Sequence, residues 1–410
     1  MKPLDQKHIL LGVTGSIAAY KAADLASKLA QAGARVNTLL TPSATQFISP
    51  LTFQSVTGQG AYTDANLWGA QSHVLHVGLG HTADLLVIAP ATANTIARLA
   101  QGLADNLLVL TALAFGPGTA ARPLVIAPAM DGGMYTHPAT QENITILRQR
   151  GAVIIGPEAG HLASGLKAHG RMSEPATLFG QIRLLLTRTG ALQGKRVVVT
   201  AGGTQEQIDP VRVITNRSSG KQGYALAQAC LDQGAEVILI AAPNALPAPT
   251  GAQHVPVTSA KEMETTVLQH CQTADALLMA AAVADFTPAN PSAHKIKKRA
   301  GLPVIELIHT PDILAAVAKA RAHSGWPRVV FGFAAETQDL LQNAQAKLQA
   351  KQLDLIVAND VGAADSGFNV DTNRVVLLHA DGTQESLPLL SKDDVAQRIT
   401  QVLVEFFQKG

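Results

Sequence analysis

Short apolar runs alternate with longer segments of mixed polarity along the whole chain. Runs of about four to seven apolar residues are typical of buried strands, whereas the longer segments space their apolar positions as an amphipathic helix does. Near the N-terminal end the pattern predicts a strand over His8–Val13, a helix over 17–31 that closes at Gly33, and a strand over Arg35–Leu40. This order of elements predicts a βαβ unit with parallel strands.

The same pattern begins a second time at Lys195. It predicts a strand over 196–200, a glycine-rich turn, a helix over 220–233 and a strand over 236–240. Apolar periodicity is lost between 187 and 194, which marks a boundary. We therefore predict an α/β fold of two doubly wound, Rossmann-like domains with mainly parallel sheets, covering residues 1–190 and 191–410.

Composition narrows the class of protein. Apolar residues make up 47% of the chain and charged residues 15%, a balance that excludes intrinsic disorder. The net charge of +2 provides no attraction for nucleic acid or an anionic membrane. Apolar runs reach about nine residues against the ~20 that a membrane-spanning helix needs, so we expect no membrane span. Cys230 and Cys271 lack metal or disulfide spacing, and we expect buried thiols in a cytoplasmic protein.

Polar residues follow three predicted strands of the first half at their carboxyl ends. Thr14, Gly15 and Ser16 follow the first strand, and the segments 89–95 and 127–135 follow apolar runs over 85–89 and 124–127. Backbone N–H groups at the start of a helix favour a phosphate, and the Ser16 hydroxyl indicates a terminal monophosphate. Because the segment lacks the GxGxxG motif, the sequence does not specify a dinucleotide as the ligand. Such strand ends converge on one crevice, where open α/β sheets bind ligands.

The second half contains a candidate polyphosphate site. Residues 215–221 do not form a P-loop, because Thr215 stands where GxxxxGK requires glycine and Gln222 follows the lysine. Asp285 ends a buried-looking run over 276–284, and residues 295–299 contain four cations in five positions. Such a charge run is also typical of a solvated face or a nucleic-acid patch. An acid beside a basic loop favours Mg²⁺ with a triphosphate, because both neutralise phosphate oxygens.

The motifs of both halves resemble one enzyme family. TGSIAAYK (14–21), APATANTIA (89–97), PAMDGGMY (128–135) and GRMSEP (170–175) are similar to the flavin-dependent decarboxylases of C-terminal cysteine carboxylates. GGTQE (202–206), DPVRVITNRSSGKQG (209–223), AAVADF (281–286), KIKK (295–298), PDIL (311–314), GFAAET (332–337) and AND (358–360) resemble the bacterial phosphopantothenate–cysteine ligase domain. Nearly the whole chain thus resembles the bifunctional phosphopantothenoylcysteine decarboxylase/phosphopantothenate–cysteine ligase family of coenzyme A biosynthesis.

For the first half, the resemblance implies an FMN site and a decarboxylase. The implied FMN-binding residues are Gly15, Ser16, Ser43, Pro90, Thr92, Asn94 and Met130. His76 is the implied base. Flavin oxidation of the substrate thiol supplies the electron sink for loss of CO₂, and a proton must then reach carbon.

The chain departs from the family pattern at two catalytic positions. Asp131 stands where the best-known form has asparagine, and Ser164 stands where it has a proton-donating cysteine. Either the donor role has moved, to a protonated Asp131 or to His161, or this half-reaction is impaired. We favour a working variant.

For the second half, the resemblance implies a CTP-dependent ligase. CTP converts 4′-phosphopantothenate to an acyl-cytidylate, and the amine of L-cysteine then displaces CMP. Asn216 is implied to hold the reacting carboxylate, and Lys295 is implied to serve the second half-reaction. Nucleotide contacts are implied for Asp285, Lys295, Pro311, Asp312, Ile313, Leu314, Phe333, Lys347 and Lys351, with Mg²⁺ at Asp285. ATP is the alternative nucleotide.

The resulting expectation is a cytoplasmic enzyme that makes 4′-phosphopantetheine from 4′-phosphopantothenate, cysteine and CTP. A ligase with an impaired flavin domain is the alternative, and a flavin-fold regulatory subunit is a remote one. The family resemblance implies a homo-oligomer, with trimeric flavin domains and dimeric ligase domains combined in a dodecamer.

Overall fold

The chain separates into two compact units, Met1–Thr187 and Arg188–Gly410. The computed structural model describes residues 2–68, 74–297, 304–336, 340–360 and 370–409. Lys298 and Arg299, the last two cations of the predicted basic run, lie outside these described residues. In the described part of the chain, no helix is long and apolar enough to cross a membrane.

The first unit is built around a parallel sheet with the strand order β3-β2-β1-β4-β5-β6. Its described elements are β1 (His8–Val13), α1 (Ala19–Gln31), β2 (Arg35–Leu40), α2 (Pro50–Thr57), β3 (Ala61–Tyr62), α3 (Leu75–Thr82), β4 (Leu85–Ala91), α4 (Ala93–Gln101), α5 (Leu107–Phe115), β5 (Leu124–Pro128), α6 (Gly132–Thr136), α7 (Pro138–Gln149), β6 (Val153–Ile154), β7 (Glu158–His161), β8 (Lys167–Arg171) and α8 (Pro175–Thr187). β7 and β8 form a separate antiparallel hairpin.

Helices cover both faces of this sheet, as the apolar runs require. Along β1, Ile9, Leu11 and Val13 pack into one core with residues of α1 and α8. Leu10 points to the opposite face and packs with residues of α4, α5 and α7. Because side chains alternate along a strand, a strand buried on both faces must be apolar at nearly every position.

The second unit contains a larger sheet with the order β13-β12-β9-β14-β17-β18-β20-β21. Its described elements are β9 (Arg196–Ala201), β10 (Gln205–Asp209), β11 (Arg212–Thr215), α9 (Lys221–Asp232), β12 (Glu236–Ala241), β13 (Gln253–Pro256), α10 (Ala260–Cys271), β14 (Ala276–Met279), β15 (Phe286–Pro288), β16 (Leu307–His309), α11 (Ile313–Ser324), β17 (Val329–Glu336), α12 (Leu340–Ala350), β18 (Leu355–Asp360), β19 (Thr372–Asn373), β20 (Val375–His379), β21 (Gln384–Ser386), β22 (Leu390–Ser391) and α13 (Lys392–Lys409). In this sheet the neighbours β13, β12, β9, β14, β17 and β18 pair in parallel, whereas β20 and β21 add an antiparallel edge.

The α/β class with mainly parallel sheets is therefore confirmed. The strands predicted over His8–Val13 and Arg35–Leu40 have the observed bounds, while the first helix begins at Ala19 rather than at residue 17. Both cysteines are free and buried, as predicted. Burial raises the pKa of each thiol to about 12, which makes both unreactive at neutral pH.

One strand prediction was wrong at its carboxyl end. The apolar run over 276–284 suggested a strand that reaches Asp285, but β14 ends at Met279. In residues 280–285 the regular pairing is reduced to Ala282, which bonds to the backbone of Gly202 and Thr204. Threonine side chains satisfy the backbone of Ala281 and Ala284 instead. This departure shapes the candidate site of the second unit.

Candidate functional site

Thr14 joins two of the three strand-end loops of the first unit. Its buried hydroxyl donates to the carbonyl of Pro90 at 2.7 Å and accepts from the N–H of Thr92 at 3.1 Å. Thr92 then caps α4, since its hydroxyl accepts from the N–H of Thr95 at 3.4 Å. The carboxyl ends of β1 and β4 are thus held together beside the N-terminal end of a helix.

Gly15 and Ser43 also meet at this end of the sheet. A Cβ on Gly15 would lie 2.4 Å from the Cβ of Ser43, so only glycine allows the two loops to approach this closely. The Ser16 hydroxyl accepts from the N–H of Ala18 at 3.3 Å, at the turn that leads into α1. Asn94 lies exposed on α4, where its side-chain oxygen accepts from Arg98.

The third loop contains Met130 and Asp131, and the β7–β8 hairpin lies against it. The N–H of Met130 donates to the carbonyl of Gly170 at 3.0 Å. The Asp131 carboxylate accepts from the hydroxyl of Ser164 at 2.6 Å and from the N–H of Gly133 at 2.9 Å. The two positions at which the chain departs from its family pattern are therefore in direct contact.

These hydrogen bonds favour the ionised form of Asp131. The Ser164 hydroxyl, followed by the Gly133 N–H, holds the pKa of the Asp131 carboxyl below its ordinary value. Both donors favour the ionised carboxylate, so this arrangement does not support a protonated Asp131 as the proton donor. His161, the other alternative, is exposed on β7.

His76 lies on α3, and its Nδ1 atom is buried without a hydrogen-bond partner among the described residues. A buried polar atom with no partner is rare and marks a place where a water or a ligand can bind. Within the described part of the chain, His76 and Asn94 make no hydrogen bond with the other predicted residues of this unit.

The second unit contains a cavity of about 850 Å³ at the carboxyl ends of its parallel strands. Its lining includes nearly all of the residues that the sequence assigned to nucleotide and carboxylate: Asn216, Asp285, Pro311, Asp312, Ile313, Leu314, Phe333, Lys347 and Lys351. Lys295 is exposed and is not part of the described lining of this cavity.

Three threonines hold the irregular segment 280–285 along this cavity. Thr200 accepts from the N–H of Ala281 at 3.0 Å, and the fully buried Thr204 accepts from the N–H of Ala284 at 2.9 Å. The hydroxyl of Thr310 donates to the carbonyl of Ala284 at 2.6 Å. Both backbone groups of Ala284 are thereby fixed by side chains, directly before Asp285.

Asn216 contacts the same segment. Its amide nitrogen donates to the carbonyl of Val283 at 3.0 Å and lies 3.4 Å from that of Ala282. The group expected to hold a substrate carboxylate thus already bonds to the backbone that leads into Asp285.

Two lysines define a cationic part of the cavity. Lys347 donates to the carbonyl of Phe333 at 2.9 Å, and Lys351 forms an ion pair with Asp312. Asp312 also caps α11 by accepting from the N–H of Ala315. Burial acts to raise the pKa of Asp312, but the hydrogen bonds from Lys351 and Ala315 outweigh it, so the pKa lies below its ordinary value.

Sequence reasoning missed several residues of the cavity wall, among them Asn373 and Lys392. Lys392 begins α13 and is buried, although its neighbours in sequence are those of an ordinary surface helix. A sequence pattern does not distinguish one buried lysine from many solvated ones. Lys221, at the start of α9, pairs with the exposed carboxylate of Asp371 at 2.6 Å.

Asp209 holds the segment that contains Lys295. Its buried carboxylate accepts from the N–H and the Nε of Arg212, each at 2.9 Å, and from the N–H of Ile296 at 3.2 Å. Burial opposes ionisation, but these hydrogen bonds lower the pKa of Asp209 to about 2. The residue next to Lys295 is therefore anchored to the β10–β11 hairpin.

The described residues contain no group of three or more His, Cys, Asp or Glu side chains that could form a metal site by themselves. A cation bound mainly by phosphate oxygens needs only one or two protein carboxylates. Asp285 is the acidic side chain nearest in sequence to the threonine-held segment, and it faces the cavity.

The two α/β units, each with polar loops at its strand ends, define a two-domain protein of the class that binds ligands at the carboxyl edge of a parallel sheet. The family model "Flavoprotein" matches residues 1–186, and the model "DNA/pantothenate metabolism flavoprotein C-terminal domain" matches residues 192–407. The Coenzyme A biosynthesis bifunctional protein CoaBC of Bacillus subtilis is 46% identical over 97% of this chain and 97% of its own length. The protein of the same name from Vibrio cholerae is 42% identical over 99% of this chain and 100% of its own.

The chain belongs to the family of bifunctional coenzyme A biosynthesis proteins, and it is an enzyme with a ligase and a decarboxylase activity. Among solved structures, the C-terminal domain of a Coenzyme A biosynthesis bifunctional protein CoaBC is 40% identical. It covers 54% of this chain and 100% of its own, with a TM-score of 0.46.

Proposed function

We propose that the second unit joins 4′-phosphopantothenate to L-cysteine with CTP, and that the first unit decarboxylates the product to 4′-phosphopantetheine. The observation that carries the proposal is a cavity of the second unit in which Asn216, Asp285, Phe333 and two lysines line one space. A carboxylate is a poor electrophile, and transfer of a nucleotidyl group gives it a good leaving group. The cavity combines an amide donor for the carboxylate with cations for the phosphates.

In the ligase step, Asn216 orients the substrate carboxylate through its amide N–H groups. Lys347 and Lys351 stabilise negative charge on the nucleotide phosphates, and the start of α11 at residues 311–314 borders the nucleotide. Asp285 is the candidate ligand for Mg²⁺, which would neutralise phosphate charge. Lys295 acts in the second half-reaction. Its exposed position outside the cavity lining means that this role needs a movement of its segment or a second copy of the chain.

We propose that the crevice of the first unit binds FMN. Support comes from the close approach of Gly15 to Ser43, the capped start of α4 at Thr92, and the buried Nδ1 of His76 that lacks a partner among described residues. Gly15, Ser16, Ser43, Pro90, Thr92, Asn94 and Met130 would hold the cofactor. When bound, FMN supplies reversible acceptance of two electrons, which substrate decarboxylation requires.

The residues of the first unit then have separate tasks. His76 moves a proton at the substrate, and the start of α4 binds the cofactor phosphate through its backbone N–H groups. The hairpin that contains Ser164 holds the Asp131 loop through the Ser164 hydroxyl and through the hydrogen bond between Met130 and Gly170. An ionised Asp131 repels a substrate carboxylate, which favours loss of CO₂ and weakens substrate binding.

One reaction mixture tests both activities. The purified chain is incubated with 4′-phosphopantothenate, cysteine, CTP and Mg²⁺, and the products are followed by mass spectrometry. We expect 4′-phosphopantetheine, and a parallel mixture with ATP in place of CTP establishes the nucleotide. Asn216→Asp is the control, because a carboxylate there repels the substrate carboxylate and prevents formation of the acyl-nucleotide.

A ligase with an impaired flavin unit is the second candidate, favoured by the Asp131–Ser164 contact. Arrest at 4′-phosphopantothenoylcysteine, with FMN bound to the protein, would establish it. Absence of any ligated product would contradict the proposed function of the second unit.

We further propose that the enzyme is a cytoplasmic homo-oligomer. The two free, buried thiols support the reducing location. Exposed apolar side chains such as Ile17, Leu51 and Trp68 in the first unit support association of chains.

A further inference from the structure

One arginine of the first unit joins the ends of two helices. Arg122 lies shortly before β5 and is half-buried. Three nitrogens of its guanidinium donate to three backbone carbonyls, those of Gly80, Ala83 and Phe115. The first two carbonyls lie at the carboxyl end of α3, and Phe115 is the last residue of α5.

This contact satisfies groups that a helix by itself leaves without a partner. The last four carbonyls of an α-helix have no donor inside the helix, and the negative end of the helix dipole favours a cation. Nε of Arg122 lies 3.2 Å from the oxygen of Ala83, and Nη1 lies 3.3 Å from that of Phe115. The guanidinium also lies over the Phe115 ring, 4.4 Å from its centroid. One side chain therefore serves the ends of both helices.

The two helix ends also touch each other directly. A Cβ on Gly80 would lie 2.9 Å from the backbone nitrogen of Phe115 and 3.0 Å from the Cβ of Ala114. Any larger residue at this position would push α3 away from α5, since the nearest atom belongs to the backbone. The end of α3 is thus placed by a polar contact with Arg122 and by a close steric contact with α5.

His76 lies one turn before Gly80 on the same helix. Residues four positions apart share a helix face, and α3 has eight residues, or a length of about 12 Å. The buried Nδ1 of His76 has no hydrogen-bond partner among the described residues, so the place of the ring depends on the helix that carries it. A displacement of about 1 Å at a reacting group can cost about a hundredfold in rate.

We propose that Arg122 is a positioning residue for the decarboxylase. It holds the carboxyl end of α3, and through this helix it sets the place of His76, the proposed base. The inference rests on the proposed function of the first unit. It gives Arg122 no contact with the substrate, so its effect falls on proton transfer rather than on binding.

The test measures single-turnover decarboxylation of 4′-phosphopantothenoylcysteine by the full-length chain. Arg122→Met is made in the wild-type and in the His76→Gln background. We expect it to lower the rate constant about tenfold in the first background and less than about twofold in the second, because a residue that acts through His76 has little left to change once His76 is replaced. The Kd of FMN should stay within about twofold of the wild-type value.

Three further variants separate positioning from stability. Arg122→Lys keeps the cation but loses the fork of donors, and it should recover part of the rate. Gly80→Ala disturbs the same helix junction by another route and should also slow the reaction without weakening FMN. Ile182→Ala is the stability control, because this fully buried side chain belongs to the core on the other face of the sheet. It should lower the unfolding midpoint and leave the rate constant within about twofold.

Several results would overturn the proposal. An equal loss of rate from Arg122→Met in both backgrounds would make its role structural, and so would an equal loss in Ile182→Ala at a similar unfolding midpoint. A weakened Kd for FMN would assign Arg122 to cofactor binding. Failure of the proposed function looks different: His76→Gln would then be as fast as the wild type, or the wild-type chain would release no CO₂ at all.

Discussion

At the scale of single residues, a hydrogen bond joins Asp131 and Ser164, the two positions at which the chain departs from its family pattern. The Ser164 hydroxyl donates to the ionised carboxylate at 2.6 Å. An alcohol is a far weaker acid than a thiol, whose ordinary pKa is about 8.5. The pair is thus well suited to fixing the β7–β8 hairpin over the site and poorly suited to protonating carbon.

We therefore expect Ser164→Cys to accelerate the decarboxylase. A thiol at this position restores a proton donor, and the rate of 4′-phosphopantetheine formation should rise by roughly tenfold or more. The negative charge of Asp131 keeps the thiol protonated, so the gain should persist until about pH 8.5 or above. The measurement is the rate of product formation from 4′-phosphopantothenoylcysteine as a function of pH.

Ser164→Ala is the matched control, since it removes the hydroxyl without adding an acid. If the cysteine variant is no faster than wild type at any pH, the donor lies elsewhere in the unit, and His161 becomes the next residue to replace. If the alanine variant is as fast as wild type, the Ser164 hydroxyl has no part in the reaction.

At the scale of elements, the segment 280–285 shows how an irregular stretch can be rigid. Its backbone leaves the sheet, yet Thr200, Thr204 and Thr310 satisfy the N–H of Ala281 and both polar groups of Ala284. Backbone groups without a sheet neighbour must find other partners when they are buried. Asp285 is thereby held at the cavity wall without belonging to a strand.

Thr204→Val should loosen this segment. Valine has nearly the same shape as threonine but cannot accept from the N–H of Ala284, and an unpaired buried donor costs about 1–3 kcal/mol. We expect a lower free energy of unfolding and a KM for CTP raised by about threefold or more, since Asp285 loses its fixed position. Chemical denaturation and ligase kinetics measure the two effects.

Thr204→Ser keeps the hydroxyl and should behave nearly as the wild type does in KM. A valine variant with reduced stability but an unchanged KM for CTP would show that the segment does not position the nucleotide.

The elements themselves differ in how well the sequence predicts them. β1 and β2 are buried on both faces, so most of their positions are apolar and the bounds are visible in the pattern, although β2 contains the buried polar residues Asn37 and Thr38. The end of β14 is not visible in the pattern, because residues 280–284 are apolar too, and part of their backbone bonds to threonine hydroxyls that are distant in sequence. The short hairpin β10–β11 has the same difficulty, since the buried carboxylates of Glu206 and Asp209 help to hold it.

At the scale of the whole molecule, each unit has its own apolar core. We expect the fragments 1–187 and 188–410 to fold separately, because unfolding free energy resides mainly in such cores. The second fragment alone should form 4′-phosphopantothenoylcysteine, and the first should bind FMN and show its visible absorption. Expression of both fragments, followed by thermal unfolding and the one-pot assay on their mixture, measures this.

We expect both fragments to unfold cooperatively, with ligation in the second fragment and FMN binding in the first. A second fragment that folds yet ligates nothing until the first is added would contradict the separation of functions.

The motifs predicted most of the candidate sites, since glycine, hydroxyl and charged residues cluster at strand ends whatever the details of packing. They could not predict that Lys295 lies outside the described cavity lining, or that Asn373 and Lys392 take part in its wall. Those facts depend on which distant strands become neighbours. Gln222 contacts both Asn373 and the backbone of Lys392, although each is more than a hundred positions away in the sequence.

The hydrogen bond from Asn216 to the carbonyl of Val283 has a thermodynamic consequence. The amide nitrogen carries two hydrogens, so a substrate carboxylate that draws on both competes with the carbonyl of Val283 for one of them. We expect such competition to loosen the backbone that leads into Asp285. By linkage, whatever factor the acyl substrate applies to the affinity for CTP, CTP applies equally to the affinity for the acyl substrate. We therefore expect the two substrates of the ligase to change each other's affinity through this one amide.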